Sequence, residues 1–367
     1  MKQSILSLVL LFPLLFASCS DEWNTPDDGP FSSETYFDFG ADEVATCMVQ
    51  YGESNIIFVQ LGGGNYAFVT MDETGKITSK REINSAYPNF EAEALYMTQS
   101  GYALVVGALD DHPSWVFYKL DDTAAVFMPE TWNNDAGRFF SAMEATDHVM
   151  LCGQKDVGGD RQVFLSKVSL TGSPIDSASF GTPMQDGGIH LLKSTTKNIL
   201  LAYSYGKGLG DRDFWLMEID ENMVPSNEKV FGGSGYDQPE WILEAYGAYY
   251  LCGHTTSFGD PMHDAYLLCL EEDFSLRWEK NIAMNGHEGA DHLIELGNNK
   301  LAFCSYGMMP VSGGYYGIID RHGAVLDQKK FPEFERFFQM RAYPERLFIL
   351  TRKKNFNLDF GVWVKSY

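Results

Sequence analysis

Acidic side chains recur along this chain at a nearly constant interval, and carboxylates can bind cations or exchange protons. The steps between them are 44 to 51 residues, and each stands just before an apolar or aromatic stretch. A ring of such groups could hold a hard cation such as calcium, which takes oxygen ligands. We favour a structural role with no cofactor, in which each carboxylate accepts backbone N–H bonds and joins neighbouring units. The residues are Asp42, Glu91, Asp135, Asp186, Asp237, Glu288 and Glu333.

A second group of candidate residues lies around Glu288. His287, Glu288 and His292 approach the zinc-protease pattern H-E-x-x-H, but the second histidine comes one residue late. The pattern requires both histidines on one helix face, which a spacing of five residues in a strand context does not provide. We therefore set the protease aside. A general metal or ligand contact by His287, Asp291 and His292 remains open, and the metal is unknown.

Three loops share a Gly-Asp step and carry further polar residues, namely Arg161, Arg212, and the pair His263 and Asp264. The shared step is turn chemistry. The residues beside it are expected to face the same surface as the acidic markers. Arginine, carboxylate and aromatic side chains together suit glycan or peptide recognition. We also single out the residues that break the repeat close behind its markers: Arg138, His190, Glu240, Trp241, Asp291, His292 and Arg336.

The elements that would position these residues are short strands. Runs of four to seven apolar and aromatic residues recur in every unit, as in Tyr102–Gly107, His148–Gly153 and Ala248–Gly253, and acidic turns follow the next strand. This pattern and the repeat length predict four-stranded propeller blades. We predict an all-β, seven-bladed β-propeller, with six or eight blades as alternatives. The last unit lacks a fourth strand, which the segment 35–39 could supply by closing the ring.

One unit contains Phe231-Gly232-Gly233-Ser234-Gly235-Tyr236-Asp237. It resembles the Phe-Gly-Gly-Ser-Gly-x-Asp signature of a large set of bacterial repeat propellers, many of them exported lipoproteins. The segment 180–186 is a degenerate copy, and the other units keep the acid without the glycines. The resemblance implies a fold, and this fold carries many functions.

The N-terminus predicts export. Lys2 precedes an apolar run from Ile5 to Phe16, followed by Ala17, Ser18 and Cys19. This is a secretory signal too short to span a membrane, and it resembles the lipobox of bacterial lipoproteins, with Phe16 where leucine is usual. The resemblance implies lipidation at Cys19. We divide the chain into a signal peptide (1–18), an acidic flexible tether (19–34) and a propeller (35–367); an ordinary signal peptide cut elsewhere is the alternative.

The acids at the start of the tether are similar to the export signals of surface lipoproteins of Bacteroidota type. They favour the outer face of the outer membrane, with the periplasmic face as the alternative. The formal charge of −23 argues against a nucleic-acid partner, because phosphate binding needs a basic surface. Cys152, Cys252 and Cys304 fall at corresponding places in different units, too far apart for disulfides, and are expected to be small core residues.

No G-x-S-x-G motif, phosphate-binding loop or dinucleotide fingerprint is present. We therefore expect a non-catalytic lipoprotein that binds a glycan or a protein partner, such as an outer-membrane barrel or transport complex. The alternative is a surface enzyme, a lyase or hydrolase, acting on polysaccharide. A buried cluster of Arg, His, Tyr and paired carboxylates on the loop face would favour the enzyme. A flat, apolar face rimmed by aromatic residues would favour the binding protein.

Overall fold

The computed structural model describes residues 33–37, 39, 43–61, 64–84, 87–121, 129–132, 135–259, 262–283, 286–308, 312–353 and 360–366. The signal peptide, Cys19 and Asp42 lie outside these residues. All the regular structure in the described part of the chain is antiparallel β-strand, arranged in seven sheets. The prediction of an all-β fold is confirmed. That part of the chain contains no helix of the length and hydropathy that a membrane span requires.

The chain forms the sheets in sequence order. The first strand, β1 (Ser33–Tyr36), belongs to the last sheet. Sheet 1 contains β2 (Glu43–Tyr51), β3 (Ser54–Leu61), β4 (Asn65–Met71) and β5 (Ile77–Asn84). Sheet 2 contains β6 (Phe90–Met97), β7 (Tyr102–Leu109), β8 (His112–Lys119) and β9 (Glu130–Thr131). Sheet 3 contains β10 (Gly137–Glu144), β11 (His148–Val157), β12 (Asp160–Ser169) and β13 (Pro174–Phe180).

The remaining sheets follow the same plan. Sheet 4 contains β14 (Asp186–Lys193), β15 (Asn198–Ser204), β16 (Asp213–Ile219) and β17 (Pro225–Phe231). Sheet 5 contains β18 (Asp237–Ala245), β19 (Ala248–Thr255), β20 (Asp264–Leu270) and β21 (Leu276–Ile282). Sheet 6 contains β22 (His287–Glu288), β23 (His292–Gly297), β24 (Lys300–Met308), β25 (Gly313–Asp320) and β26 (Val325–Phe331). Sheet 7 contains β27 (Phe334–Tyr343), β28 (Arg346–Lys353) and β29 (Phe360–Ser366) with β1.

The seven sheets form a closed ring of blades. The first strand of each blade contacts its counterparts in the two neighbouring blades, and the inner strands β27 and β2 meet to complete the circle. Strand β1 pairs antiparallel with β29, with Thr35 opposite Val362. The seven-bladed propeller closed by its N-terminal strand is therefore confirmed. That strand begins at Ser33, two residues before the predicted start of the propeller.

Burial across a blade explains the sequence pattern. The second and third strands are buried over most of their residues, and β19 and β20 are buried along their whole length, so these strands need continuous apolar runs. The outer strands, such as β21, are mostly exposed and polar. The acidic turns after the third strands are confirmed: the Asp72 carboxylate accepts the N–H groups of Thr74 and Lys76 at 2.9 and 3.0 Å. Apolar side chains of adjacent blades interdigitate to form the core between them.

Each inner strand carries a bulge that decides where its side chains point. The pairing register with the second strand slips by one residue, so one residue of the inner strand has no partner. In blade 6 the interruption separates β22 from β23 and contains Asp291. In blade 7 one of two such slips leaves Phe338 unmatched. The residues at this bulge position, in blade order, are Thr46, Glu93, Phe140, Ile189, Glu240, Asp291 and Phe338.

The five cysteines of the described residues are buried free thiols. Cys152, Cys252 and Cys304 lie in the second strands of blades 3, 5 and 6, within the core. Burial raises the pKa of Cys252 and Cys304 well above the usual thiol value. These side chains therefore act as small apolar core residues.

Candidate functional site at the mouth of the channel

A cavity of about 360 Å³ opens where the inner strands surround the centre of the ring. Five of the seven bulge residues line it, because the bulge turns these side chains toward the channel. Other residues of the inner strands, together with the second strands and the segments that lead into the third strands, supply the rest of the wall. The lining residues are Glu93, Ala94, Phe140, Gln154, Arg161, Ile189, His190, Tyr203, Arg212, Gln238, Glu240, Trp241, Asp291 and Gln339.

A second equivalent position faces the same mouth. Arg161, Arg212 and His263 occupy matching places relative to the paired strands of blades 3, 4 and 5, at or just before the third strand. The backbone at these places also joins the blades. The Arg212 carbonyl accepts the Asp237 N–H, and the His263 carbonyl accepts the Glu288 N–H, both at 2.7 Å. The second-to-third-strand loops and the blade entries therefore share one face, as expected.

The polar centre of the site is a group of four charged side chains from blades 5 to 7. His254 Nε2 lies 3.0 Å from Asp291 Oδ1 and 3.6 Å from Glu240 Oε1. Arg336 donates from Nε and Nη2 to Asp291 Oδ2, at 3.0 and 2.7 Å. Asp291 is thus held from two sides by cations. Glu240 has 30% of its side-chain surface accessible from the cavity, whereas Asp291 has 8%.

This arrangement separates the ionisation of the two carboxyl groups. Burial raises the pKa of Glu240 to about 7, against the opposing charge of His254. Burial also opposes ionisation of Asp291, but Arg336 and the hydrogen bond from His254 lower its pKa to about 2. Burial works against a charged His254, yet the bond to Asp291 holds the pKa of the imidazole above its ordinary value. Near neutral pH the site therefore contains one fixed carboxylate and one carboxyl group poised to titrate.

Arg212 also lines the cavity, in a setting of aromatic rings. Its guanidinium carbon is 3.9 Å from the ring centre of Tyr203, 4.9 Å from that of Tyr205 and 5.0 Å from that of Tyr236. The guanidinium also donates to the side-chain oxygen of Gln238. Cation–π contacts and one hydrogen bond to a side-chain amide oxygen orient this arginine without an acidic partner.

Trp241 lines the cavity and lies between two histidines. The ring centres of His190 and His292 lie 3.9 and 4.2 Å from that of Trp241. Burial lowers the pKa of His190 to about 3 and that of His292 well below its usual value, with Arg341 adding to both shifts. His292 is 1% exposed. His292 therefore packs against Trp241 within the core, away from the cavity.

The other predicted candidates have separate positions. Arg138 forms ion pairs with Glu93 at 2.6 Å and Glu91 at 3.3 Å, at the rim of an adjoining surface cavity that Arg161 also lines. The rings of His263 and His287 stack with centres 4.3 Å apart, next to the charged group. Asp264 is fully buried, close to the amide of Asn281 at 3.3 Å, and does not face the cavity.

The acidic markers do not form a uniform ring. Asp186, Asp237 and Glu288 occupy one equivalent position, three residues before the bulge position, and are fully buried. The equivalent positions in blades 2 and 3 hold Phe90 and Gly137. The near-constant spacing in the sequence therefore grouped buried residues at this position with exposed residues beside it. Glu91, Asp135 and Glu333 lie one or two residues away from that position and are exposed.

The buried markers are satisfied by nearby groups. Asp237 accepts bonds from the Thr255 hydroxyl, the Ser257 hydroxyl at 2.6 Å and the Gly233 N–H at 2.7 Å. The Phe-Gly-Gly-Ser-Gly loop is thereby fixed to the second strand of blade 5. Asp186 accepts the N–H and hydroxyl of Thr182 at 2.5 and 2.9 Å, and Glu288 pairs with Lys330 at 3.0 Å. Each buried acid therefore has a nearby partner, although Oδ1 of Asp186 has no hydrogen bond within the described residues.

One cluster of the described residues could hold a metal ion. Ligand atoms of Glu240, His254 and Asp291 lie within 4.8 Å of one another. Two carboxylates and an imidazole suit a transition metal better than calcium, which prefers six to eight oxygens. The hydrogen bond between His254 and Asp291 and the Arg336 ion pair satisfy the His254 and Asp291 atoms of this cluster without an ion. Calcium stays a prediction.

Several residues of the site escaped the sequence analysis. His254 is the most important, and Gln154 occupies the equivalent place in blade 3; both follow a Cys-Gly step in a second strand. A polar residue at the end of an otherwise apolar strand was the available signal. Tyr203, which donates to Gln154 Oε1 at 2.5 Å, and Gln238 carried no signal distinct from ordinary strand and loop composition.

No protein-family model matches the chain, and no curated protein matches it either. Its fold is similar to solved structures at low sequence identity. The Pan2 WD40 domain of Neurospora crassa is 11% identical with a TM-score of 0.54, the match covering 90% of this chain and 98% of that one. The polysaccharide lyase Uly1 is 9% identical with a TM-score of 0.55, covering 88% and 90%. A puromycin hydrolase is 11% identical with a TM-score of 0.57, covering 84% and 50%. These similarities show the β-propeller fold alone.

Proposed function

We propose that the protein is a polysaccharide-cleaving enzyme whose reaction takes place at the mouth of the propeller channel. The observation that carries this proposal is one cavity lined by two arginines, a histidine, a tyrosine and three carboxyl groups from several blades. Such a cluster on the loop face favours an enzyme over a non-catalytic binding protein. The similarity to a polysaccharide lyase adds only that the fold can carry such a site.

Glu240 is the residue to which we assign proton transfer. It projects into the cavity from a bulge, with 30% of its side-chain surface accessible. Its raised pKa, about 7, suits a group that both takes and returns a proton near neutral pH. Asp291 is kept ionised by Arg336 and His254, so it orients the histidine and takes no part in proton transfer. The two carboxyl groups thus have different roles because their surroundings differ.

The cellular setting remains the one that the N-terminus predicts. We propose that Cys19 carries the lipid and that the acidic tether holds the propeller at the outer face of the outer membrane. The periplasmic face is the alternative. An enzyme in the outward position would meet extracellular polysaccharide directly, which is consistent with the open cavity.

The test is cleavage by the purified propeller. Wild type, Glu240→Gln and a control, Glu333→Gln, are incubated with a panel of neutral and acidic polysaccharides. Products are sized and weighed by mass spectrometry, because hydrolysis adds one water to each cleaved bond and elimination adds none. We expect wild type and the control to cleave the same substrate and Glu240→Gln to leave it intact. Binding of a polysaccharide without any cleavage by wild type would refute the catalytic role.

A second candidate function is a scaffold for a protein partner. Leu209 is 85% exposed on the loop that precedes Arg212, where an apolar side chain could anchor a partner. The test is a pull-down from native membranes with the lipid anchor intact. A stoichiometric barrel or transport protein that is lost with Leu209→Ser would support the scaffold. Full polysaccharide cleavage without a partner would contradict it.

A further inference from the structure

Arg212 differs from Arg138, Arg161 and Arg336 in having no acid beside it. Arg138 pairs with Glu93 at 2.6 Å and Arg336 pairs with Asp291 at 2.7 Å. Within the described residues, Arg212 has no carboxylate within salt-bridge distance, although the chain contains 50 acidic residues and 27 basic ones. Its charge is therefore available to a ligand.

The surroundings of Arg212 fix its position without neutralising it. Three tyrosine rings lie 3.9 to 5.0 Å from the guanidinium carbon, and Gln238 accepts one of its N–H bonds. The Tyr236 hydroxyl donates to the same Gln238 oxygen at 3.2 Å, which locks the amide. A guanidinium that is held rigidly loses little conformational entropy when a ligand binds. The planar fork of an arginine matches a carboxylate in two parallel hydrogen bonds.

Arg212 and Glu240 both line the cavity, from the loop of blade 4 and the inner strand of blade 5, and they do not form a salt bridge. Arg161, at the equivalent place in blade 3, also lines the cavity, but it pairs with Asp156 at 3.3 Å, so Arg212 is the unpaired cation of the two. The ligand space therefore has a cationic side and a proton-transfer side. A sugar ring bearing a carboxylate can reach both at once, whereas a neutral sugar leaves the arginine desolvated and unpaired.

We propose that the substrate is a polysaccharide containing uronic acid and that Arg212 binds its carboxylate; this inference rests on the proposed function. Neutralising the carboxylate acidifies the hydrogen on the adjacent ring carbon. Glu240 removes that proton, the electron pair forms a C=C bond, and the C–O bond to the leaving sugar breaks. The leaving oxygen takes a proton from water, and Glu240 returns its proton to solvent. A uronate substrate thus implies an elimination reaction, in which no water is added across the broken bond.

Binding to matched glycans tests this substrate class. Dissociation constants are measured in the Glu240→Gln background for polygalacturonate, chondroitin sulfate, their carboxyl-reduced forms, desulfated chondroitin and neutral xylan. We expect Arg212→Gln to weaken binding of a uronate glycan by more than about tenfold. Carboxyl reduction of the glycan should weaken binding by the Glu240→Gln parent to the same extent, and the added Arg212→Gln substitution should then cause little further loss. Arg277→Gln, which removes an exposed ion pair with Glu271 far from the cavity, is the matched control and should bind unchanged.

Each outcome decides the inference. Loss of binding on desulfation alone, or equal binding by Arg212→Gln and its parent, overturns it. Cleavage of a neutral glycan that depends on Glu240 but not on Arg212 overturns the inference and leaves the proposed function standing. Arg212-dependent uronate binding without cleavage by the wild-type protein would support the contact between Arg212 and the carboxylate, but it would overturn the elimination and refute the catalytic role. No binding of any glycan refutes both. Arg212→Lys, which keeps the charge and loses the fork, controls for folding and should bind at an intermediate level.

Discussion

Asp237 and Glu240 lie three residues apart on the same strand, and their carboxyl groups have different roles. Asp237 is fully buried and accepts bonds from two hydroxyls and a backbone N–H, so it fixes the blade entry. Glu240 stands on the bulge, faces the cavity and has a raised pKa. Glu288 and Asp291 repeat the same pair of positions in the next blade. The first position is used for holding the fold together, and the second is free to vary for chemistry.

This comparison explains why the fold tolerates a changing site. Blade-to-blade attachment at the first position is partly made by the backbone, as the Gly137 N–H bond to the Asp111 carbonyl shows where no acid is present. The bulge position does not take part in this attachment between blades. Different blades have threonine, phenylalanine, isoleucine or an acidic residue there. Departures from the repeat therefore collect at the channel mouth.

The largest expected difference between the two positions is in catalysis. Glu240→Gln removes the group that transfers the proton while keeping its shape, so the cleavage rate should fall by about 10²–10⁴-fold. Initial rates across pH give a further check. Because the folded pKa of Glu240 is about 7, activity should rise as pH increases through that value if the carboxylate acts as the base. A falling limb there would show that Glu240 acts as an acid.

The next largest expected effect is on stability, and here the buried Asp237 is the residue that matters. Asp237→Ala leaves the hydroxyls of Thr255 and Ser257 and the Gly233 N–H without their buried acceptor, and should lower the free energy of unfolding by about 3 kcal/mol. Asp135→Ala, at an exposed marker, should change it by less than about 0.5 kcal/mol. Urea unfolding followed by tryptophan fluorescence measures both. Equal losses in the free energy of unfolding would show that buried and exposed markers do not differ in their contribution to stability.

The sequence predicted the fold because every blade repeats the same physical demands. Continuous apolar second strands such as Ala248–Thr255 and acidic turns such as the one at Asp72 recur, and each could be recognised alone. It also identified Glu240, Trp241 and Asp291 as departures from the repeat. It did not find His254, because its role depends on an acid brought in from the next blade. It could not separate Asp237 from Asp135, since a shift of one or two residues in a strand changes burial completely.

A smaller effect should appear in acid. The folded pKa of Asp291, about 2, lies below its ordinary value of 3.8, so its ionisation stabilises the native state above that ordinary value. As pH falls from about 4 toward 2 this contribution, about 2 kcal/mol, should be lost. Asp291→Asn should lack that part of the decline. Unfolding free energies of the two proteins between pH 5 and pH 2, in about half-unit steps, make the comparison. Parallel curves would mean that the carboxylate is not held as the geometry indicates.

The smallest effect concerns the arginine behind Asp291. The charge of Arg336 lowers the pKa of His254, while the bond to Asp291 raises it. Arg336→Gln removes the repulsion and leaves the His254–Asp291 hydrogen bond, so the imidazole pKa should move further upward, as followed by NMR of the ring protons. A downward shift would have a different cause: Asp291 would have turned away, and Arg336 would then be the residue that positions it. Arg277→Gln, far from the mouth, should leave the titration unchanged. The sign of the shift therefore separates a charge effect from a positioning effect at the mouth.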